Sequence, residues 1–452
     1  MLCVYPYRRE LKELGFLPPL GLEHIASVIE PFAREVEIAD LRRDTRRTAD
    51  FLRRDTDLVC FSVNWDLERQ FLREEISSVD GDIKVIVGGR YATEAPEEWL
   101  NQLPQVDAVV RGDGEETMLD ICRQEPWSHI KGLSYRQEGQ IQHNPNREPG
   151  PIQDSLEPCR SRRKQEYDLQ IKGHRTGLQI DMVAGSRGCP FNCAFCSFNR
   201  NPWGTKRKWS ARSPESVVDE LESLPAPVVA FTDDVFTHDM SRVERICDLI
   251  LKRGIRKKYV INARLEIARS PQVLKKMEQA GFAVLLLGIE SAQDKTLRSM
   301  RKGFNTSQIR EYCSVLKESS MIKHGYFILG NIGESEEEML QIAPFAREIG
   351  MDTISLSTLR NSPYSGLDEL VAETPGYYVS SKGKIYSDHC PPQKMRELRR
   401  RINHDFYRSR QVLRVMDKFR RQGALRLLPG LGFNLLGSAA GRLVPSRSSR
   451  GA

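Results

Sequence analysis

Three cysteines stand close together near the middle of the chain. Cys189, Cys193 and Cys196 follow the spacing C-x3-C-x2-C, and the residues between them are mostly small or aromatic. Zinc usually takes four Cys or His ligands, and the next histidines, His174 and His238, are distant in sequence. A 4Fe–4S cluster also takes four ligands, so three cysteines leave one iron open for another molecule. The spacing therefore favours an iron–sulfur site, with zinc or a structural role as the alternative.

The cysteine run, with Phe195 just before its last cysteine, resembles the signature of radical S-adenosylmethionine (SAM) enzymes. The resemblance implies that the three cysteines hold a 4Fe–4S cluster, whose open iron chelates the amino and carboxylate groups of SAM. One electron from the reduced cluster would cleave the carbon–sulfur bond of SAM and give a 5′-deoxyadenosyl radical. Such chemistry needs a site shielded from water and oxygen. We expect an oxygen-sensitive enzyme that takes its electron from a donor such as flavodoxin or ferredoxin.

Three runs downstream resemble the segments with which this family contacts SAM. Residues 231–236 are similar to the run beside the methionine end, and residues 287–291 to the run that contacts the ribose. Residues 327–335 resemble the glycine run near the adenine, although Asn331 and Ile332 depart from the usual Leu-Pro. Each acidic residue could instead be an ordinary helix cap, but their positions at successive strand ends predict a pocket. The resemblance assigns to SAM binding Phe195, Asp233, Asp234, Arg264, Gly288, Glu290, Ser291 and Gly330, and no catalytic residue is assigned.

A series of strands and helices must position this pocket. Strand-like apolar runs occur at 178–183, 228–232, 259–263, 284–288, 325–329 and 353–356. Helical patterns between them occur at 214–224, 242–252, 271–279 and 336–348. This alternation indicates right-handed βαβ units and a parallel sheet, with ligands at the carboxyl ends of its strands. About six units predict a partial (βα)6 TIM barrel, which we assign to residues 176–370.

The beginning of the chain shows the same alternation. Five strands are predicted at 2–5, 36–41, 58–63, 84–87 and 108–110. They indicate an α/β domain with a doubly wound parallel sheet over residues 1–130, followed by a hairpin and linker at 131–175. Two of the strand ends carry glycine pairs that would let a ligand approach the backbone, next to helix N-termini that favour anions. These glycines are Gly88, Gly89, Gly112 and Gly114, and plain tight turns are the alternative.

A doubly wound domain joined to this barrel resembles the cobalamin-binding group of radical SAM enzymes. That group includes methyltransferases, the anaerobic magnesium-protoporphyrin ester cyclase and enzymes that act on hopanoid or archaeal lipids. The resemblance covers about residues 1–370 and rests on runs at 19–22, 87–93, 111–117, 132–135 and 212–217. It implies that the four glycines contact cobalamin, while leaving open whether a corrinoid is bound. The D-x-H-x-x-G run that supplies a cobalt-ligating histidine elsewhere is absent, and we expect His24 to pack or to face solvent.

The resemblance implies two kinds of reaction. With cobalamin, one SAM would methylate the corrinoid, a second would give the radical, and the substrate radical would take the methyl group, which suits an unactivated carbon. Without cobalamin, the radical could drive cyclisation, coupling or oxidation. The substrate is expected to be a secondary metabolite, a tetrapyrrole or a lipid. A non-catalytic iron–sulfur scaffold or redox sensor is the hypothesis of another class.

The positive charge of the chain lies in its C-terminal extension, residues 371–452. The 452 residues carry a net charge of +7, yet from residue 371 onward there are 17 basic and five acidic residues. Residues 391–421 predict a basic helical region whose apolar face packs on the barrel. Residues 424–444 are apolar but broken by Arg, Pro and Gly, which favours lying on an anionic membrane surface over spanning it. Peripheral membrane contact and a hydrophobic or lipid substrate are therefore expected. A nucleic-acid partner is not expected. The tail after residue 444 should be disordered.

The composition indicates a soluble globular protein. Apolar residues make up 39% and charged residues 29% of the chain, and no apolar run is long enough to span a membrane. The N-terminus lacks the features of a secretory signal, which predicts a reducing, cytoplasmic location. The seven cysteines outside the C-x3-C-x2-C run follow no ligand spacing, so a second cluster is not expected.

Overall fold

The computed structural model describes residues 1–8, 17–171, 174–196, 200, 203–361, 365–381 and 383–421. The predictions made for residues 424–444 and for the final residues lie outside this part of the chain. The chain divides into two compact units. The first unit comprises Met1–Tyr167, Gln179–Gly188 and Phe198–Leu224, and the second comprises Asp168–Leu178, Cys189–Ser197 and the chain from Pro225 onward.

The first unit is built on a seven-stranded sheet. Its strands are β1 Leu2–Tyr5, β2 Glu37–Asp40, β3 Leu58–Ser62, β4 Lys84–Gly88, β5 Ala108–Val110, β6 Leu133–Gln137 and β7 Gln140–His143. Its helices up to β6 are α1 Leu20–Ile29, α2 Arg69–Ser77, α3 Arg90–Glu94, α4 Pro96–Gln102 and α5 Gly114–Cys122. All five predicted strands are present, and the hairpin β6–β7, predicted beside the linker, extends the sheet by pairing antiparallel with β5.

The strand order of this sheet is β2-β1-β3-β4-β5-β6-β7. The first five strands are parallel. Strand β1, for example, is buried along its whole length, because helices cover both faces of such a sheet. The chain runs from β1 to β2 on one side of β1 and then returns to β3 on its other side. The carboxyl ends of β1 and β3 therefore form the topological switch point, where doubly wound sheets bind their ligands.

The next elements lead into the barrel sheet. They are β8 Asp168–Ile171, β9 His174–Val183, β10 Ser186–Arg187, β11 Ser210–Ala211, α6 Pro214–Ser223, β12 Val228–Phe231, α7 Met240–Arg253, β13 Lys258–Ala263, α8 Pro271–Ala280, β14 Phe282–Glu290, α9 Asp294–Ser299, α10 Thr306–Lys317, β15 Ile322–Leu329, α11 Glu336–Leu340, α12 Ile342–Glu348 and β16 Thr353–Thr358. The sheet has the order β16-β15-β14-β13-β12-β9-β8, and β12 to β16 pair in parallel. This sheet confirms the predicted partial barrel.

One predicted helix is divided in two. The pattern over 336–348 predicts a single helix, whereas the structure ends α11 at Leu340 and begins α12 at Ile342. Pro344 explains the break, because a proline has no N–H to donate and its ring clashes with the carbonyl four residues earlier, here that of Leu340.

The described part of the C-terminal extension packs on the second unit. Helix α13 Leu367–Glu373 leads into the extension. The elements that follow are β17 Tyr377–Val379, β18 Ile385–Ser387, α14 Pro392–Phe406 and α15 Ser409–Arg421. The apolar side chains of α14 are buried, as predicted, and Val415 and Phe419 of α15 form a cluster with Ile322 of β15. No helix in the described ranges combines the length and the apolar character that crossing a membrane requires.

Candidate functional site

The three cysteines of the C-x3-C-x2-C run lie on one loop of the second unit. All three are partly exposed, and the Cys196 N–H donates to the Cys193 carbonyl at 3.2 Å. The loop is anchored by the Ala194 N–H, which donates to the Met300 carbonyl at 2.9 Å. Burial raises the pKa of the Cys189 thiol, and the charges of Asp234, Cys196 and Cys193 add to the shift. The thiols are therefore near one another and near Asp234.

The three cysteines suit the ligand set of an iron–sulfur cubane. Within the described ranges, no three His, Cys, Asp or Glu side chains converge closely enough to ligate one ion. A 4Fe–4S cluster binds each thiolate to a different iron, so its cysteines need not converge on one point. Three accessible thiols on one anchored loop satisfy that requirement, and Cys189, Cys193 and Cys196 are the residues that would hold the cluster.

Arg264 lies against the same loop. Its guanidinium is 3.6 Å from the centre of the Phe191 ring, between the first two cysteines of the run. Its Nη2 donates to the Lys302 carbonyl at 2.7 Å and to Glu266 at 3.0 Å. Arg264 is one of the predicted SAM contacts, and part of its hydrogen-bonding capacity is directed to Glu266 and to the backbone of Lys302.

Glu290 and Lys302 form a buried ion pair at the carboxyl end of β14. Lys302 Nζ lies 2.8 Å from Glu290 Oε1, and a Cβ added to Gly288 would lie 2.5 Å from that oxygen. Gly288 therefore makes room for the pair. Glu290 has a φ of 72°, and the β14–β15 register shifts between Gly288 and Glu290. Left-handed backbone at a non-glycine residue is costly and often marks a functional site.

Sequence reasoning missed Lys302. Its ammonium lies 5.7 Å from the ring centre of Phe195 as well as beside Glu290, so it joins the cysteine loop to the predicted ribose-contacting run. The only local indication is a lysine between Met300 and Gly303-Phe304, which is too common a pattern to identify a site.

The remaining predicted SAM contacts occupy varied environments. Asp233 is fully buried, and its carbonyl accepts from Asn262 Nδ2 at 3.1 Å, whereas Asp234 is exposed. Ser291 is buried, and its Oγ accepts from the Gln293 N–H at 3.1 Å. Contact of these side chains with SAM stays a prediction.

The glycine run after β15 is organised by Glu334. Its Oε2 accepts from the Gly330 N–H at 3.0 Å, the Asn331 N–H at 3.1 Å and Asn331 Nδ2 at 3.1 Å. Asn331 Nδ2 also donates to the Ile328 carbonyl at 2.9 Å, so this departure from Leu-Pro adds side-chain hydrogen bonds to the loop. Burial raises the pKa of Glu334 to about 7. Its Oε1 is buried without a hydrogen-bond partner among the described residues.

In the first unit, the predicted corrinoid glycines are close to other parts of the protein. A Cβ on Gly89, whose φ is 101°, would lie 2.6 Å from the Val63 carbonyl oxygen, so the turn after β4 requires glycine in any case. A Cβ on Gly112 would lie 2.8 Å from the Trp203 ring, and one on Gly114 would lie 2.9 Å from Ile25 Cδ1. A Cβ on Gly88 would lie 3.7 Å from Val110 Cβ, which is an ordinary contact. Intramolecular packing explains three of the four glycines, and their contact with cobalamin stays a prediction.

The switch point of this sheet carries an exposed aromatic side chain. Trp65 follows β3 and is 37% exposed, and Tyr7 follows β1 and is fully buried. His24 is also fully buried, as packing predicts, and burial lowers its pKa to about 3. The indole of Trp65 is therefore exposed at the edge where a doubly wound sheet binds ligands.

Comparisons with known proteins agree with this architecture. The profile of the Radical SAM superfamily matches residues 183–346, and that of the B12 binding domain matches residues 12–121. The two matches together cover more than half of the chain. They fall on the barrel segment that begins before the cysteines and on the doubly wound sheet.

Similarity to individual proteins extends over longer stretches of the chain. An uncharacterized methyltransferase of Pyrococcus horikoshii is 27% identical over 446 residues, covering 92% of this chain and 93% of its own length. The anaerobic magnesium-protoporphyrin IX monomethyl ester cyclase of Rubrivivax gelatinosus is 24% identical over 356 residues, which are 76% of this chain but only 61% of the cyclase. The solved structure of the radical SAM methyltransferase TsrM of Kitasatospora setae, with cobalamin and a 4Fe–4S cluster bound, aligns with a TM-score of 0.66 at 18% identity over 84% of this chain and 80% of TsrM. With both domain matches in one chain, this protein belongs to the radical S-adenosylmethionine enzymes that carry a cobalamin-binding domain.

Proposed function

We propose that the protein methylates an unactivated carbon of a small-molecule substrate, with a 4Fe–4S cluster, SAM and cobalamin as its cofactors. The observation that carries this proposal is the union, in one chain, of a B12-binding domain and a cysteine loop backed by the Arg264–Lys302–Glu290 contacts. A radical is needed because an unactivated carbon does not react with an ordinary methyl electrophile. A separate methyl carrier is needed because radical cleavage of SAM breaks the bond between its sulfur and its ribose. The methyl group then stays on methionine and does not reach the substrate.

The bound groups would supply the difficult chemistry, namely one-electron cleavage of SAM at the cluster and methyl carriage at the corrinoid. The residues of the chain bind and orient. Glu290 pairs with Lys302, and its carboxylate oxygens can accept hydrogen bonds from ribose hydroxyls. Arg264 stacks on Phe191 and holds the segment that carries Lys302 against the cysteine loop. The electron would come from an external donor such as flavodoxin or ferredoxin.

One face of β15, the strand that pairs with β14, carries uncharged side chains that suit contact with an uncharged substrate. His324, Tyr326 and Ile328 alternate along one face of this strand, and Ile328 packs in the same cluster as Phe195 of the cysteine loop. His324 hydrogen-bonds Thr353 Oγ1 at 2.7 Å and Ser355 Oγ at 2.9 Å. Burial lowers the pKa of His324 to about 4, so the ring is neutral at pH 7. A hydrophobic metabolite, tetrapyrrole or lipid with neutral polar groups suits this lining.

Radical cyclisation is the second candidate. The similarity to a magnesium-protoporphyrin ester cyclase over 76% of the chain favours it. The two candidates consume SAM differently. Methyl transfer yields S-adenosylhomocysteine together with 5′-deoxyadenosine, whereas cyclisation by hydrogen abstraction yields 5′-deoxyadenosine alone.

The test is product analysis with the anaerobically reconstituted full chain. Protein, hydroxocobalamin, dithionite and SAM carrying a CD3 group are incubated with a metabolite extract, and both SAM products are quantified by mass spectrometry. Methyl transfer predicts both products and a compound that has gained the deuterated methyl group. Deoxyadenosine without S-adenosylhomocysteine or label would move the assignment to cyclisation, coupling or oxidation. Neither product from a sample with filled iron sites would favour a scaffold or sensor.

A further inference from the structure

Helices α14 and α15 present a surface of arginines to solvent. Each helix buries one stripe of side chains against the second unit, so the intervening positions point away from it. Their exposed arginines are Arg396, Arg400, Arg401, Arg408, Arg410, Arg414, Arg420 and Arg421. Glu397 is the one carboxylate of α14 and α15 that is equally exposed. The outer face of these two helices is therefore strongly basic.

Three of these arginines are not neutralised by a neighbour. The other five are paired with the carboxylates of Glu336, Asp352, Asp405 and Asp417. Arg396, Arg400 and Arg410 form no ion pair or side-chain hydrogen bond with any residue that the structure describes. Arg396 and Arg400 are four residues apart, so they lie side by side on α14. The outer face therefore offers guanidinium groups that are available to an anion.

The second unit holds the two helices firmly in place. Arg347 Nη1 donates to the Asp405 carbonyl at 2.6 Å, and the Tyr407 hydroxyl accepts from the Ile354 N–H at 3.0 Å. The buried Gln411 side chain donates to two backbone carbonyls just before β16, both at 2.8 Å. A basic surface with a fixed backbone loses little conformational entropy when it meets a partner.

Leu413 adds an apolar group to this basic face. It is 64% exposed, more than any other large hydrophobic side chain in the described part of the chain. It lies about one turn from Arg410 and about two turns from Arg420, on the same side of α15. An aliphatic side chain among arginines is typical of helices that rest on anionic membranes.

Other features of the face favour lipid over nucleic acid. Surfaces that bind single-stranded nucleic acids combine cations with aromatic side chains on which bases stack. The aromatic residues of α14 and α15 are Phe406 and Phe419, and both are buried. In addition, the chain continues from α15 into residues 424–444, whose sequence is apolar and interrupted by arginines.

We propose that the outer face of α14 and α15 binds the anionic headgroups of a lipid bilayer. Arg396, Arg400 and Arg410 contact lipid phosphates, and Leu413 enters the boundary between headgroups and acyl chains. The inference goes beyond the proposed function, because carbon methylation by itself requires no membrane. It places the enzyme at the surface where a hydrophobic substrate would dissolve.

The test measures vesicle binding by the full chain after anaerobic reconstitution of its cluster. Co-sedimentation compares vesicles of phosphatidylcholine alone with vesicles that contain about 30% phosphatidylglycerol. The wild type should bind only the anionic vesicles, and high salt should release it. The double variant Arg396→Glu/Arg400→Glu should weaken this binding by about tenfold or more. Leu413→Ser should weaken it by about threefold or more, because its apolar contact is lost.

Matched controls come from the region of α7, where Lys252 and Arg256 are also exposed and four residues apart. Lys252→Glu/Arg256→Glu makes the same change in net charge, and Leu251→Ser removes a leucine that is 43% exposed. Both control proteins should bind vesicles like the wild type. Circular dichroism and thermal melts establish that each variant is folded. The milder pair Arg396→Gln/Arg400→Gln should weaken binding in the same direction if the charge reversal disturbs folding.

Three outcomes would overturn the inference. The first is a wild type that does not bind anionic vesicles, and the second is equal binding by the wild type and Arg396→Glu/Arg400→Glu. The third is a loss in Lys252→Glu/Arg256→Glu as large as in the α14 variant, which would show an effect of total charge. If the α14 variant loses affinity for an RNA oligonucleotide but keeps its vesicle binding, the face belongs to nucleic acid and the inference is wrong. Formation of 5′-deoxyadenosine without vesicles should be equal in all variants, so the proposed function is judged separately.

Discussion

Lys302 Nζ lies 2.8 Å from Glu290 Oε1, and less than a tenth of each side chain is exposed. The two residues come from different segments, one at the end of β14 and the other beyond α9, and they meet above Gly288. Their pairing places a carboxylate of fixed orientation next to the loop of Cys189, Cys193 and Cys196.

Breaking this pair should destabilise the protein strongly. Lys302→Met leaves Glu290 buried without its cation, for which we expect a loss of about 3–5 kcal/mol in the free energy of unfolding. The control is Glu348→Gln, which removes the pair between Arg310 and Glu348, about half exposed on both sides and worth less than about 1 kcal/mol. Urea unfolding of the three proteins checks the difference. Equal losses in the two variants would contradict the buried-pair account.

The cysteines of the loop should differ from the other cysteines in their effect on iron. Cys193→Ser should abolish cluster assembly and reduce 5′-deoxyadenosine formation to background, because a 4Fe–4S cluster relies on all three thiolates. Cys313→Ala should retain both, since Cys313 is buried in α10. Iron and sulfide content after anaerobic reconstitution, together with SAM cleavage, provides the measurement. A full complement of iron in Cys193→Ser would refute the assignment.

The raised pKa of Glu334 should appear in the pH dependence of stability. Burial raises this pKa to about 7 from the ordinary value of 4.5, so between these values the folded state holds a proton that the unfolded state releases. The stabilising contribution of the group is then present below pH 4.5 and is lost as the pH rises towards 7. The stability of the wild type relative to Glu334→Gln should therefore fall by about 1–3 kcal/mol over this range. Urea unfolding from pH 4.5 to 8 tests the sign, and parallel curves for the two proteins would show that the shift is absent.

The C-terminal helix α15 should depend on Asp352. This buried carboxylate accepts from Arg414 at 3.0 Å and from Lys418 at 2.8 Å, so two basic residues of the extension are paired within the second unit. Asp352→Asn should cost about 3 kcal/mol or more and expose α15 to proteases. The matched control is Asp405→Asn, whose partner Arg347 and own side chain are about a third exposed. Limited proteolysis with mass spectrometry reads out the release, and protection of α15 in Asp352→Asn would contradict its anchoring role.

Local patterns in the sequence were sufficient to predict most of the strands of both sheets and the cysteine loop. The predicted strand 108–110 coincides with β5, and the predicted helix 271–279 falls one residue short of α8. Such agreement is expected where apolar periodicity, a proline at the first turn and a glycine after the last turn act within a few residues. The prediction of one helix over 336–348 was wrong because Pro344 has no N–H to donate and its ring clashes with the carbonyl of Leu340.

The sequence by itself determined the chemistry that is available, since the spacing of Cys189, Cys193 and Cys196 is a property of one short loop. Only the tertiary structure decided what surrounds that chemistry. Lys302 meets Glu290, and Trp65 stands beside Tyr7, because strand order and packing bring together segments that no periodicity relates. Local propensity acts over a few residues, whereas a binding site is formed by side chains that meet only when the sheet has closed its long-range pairings.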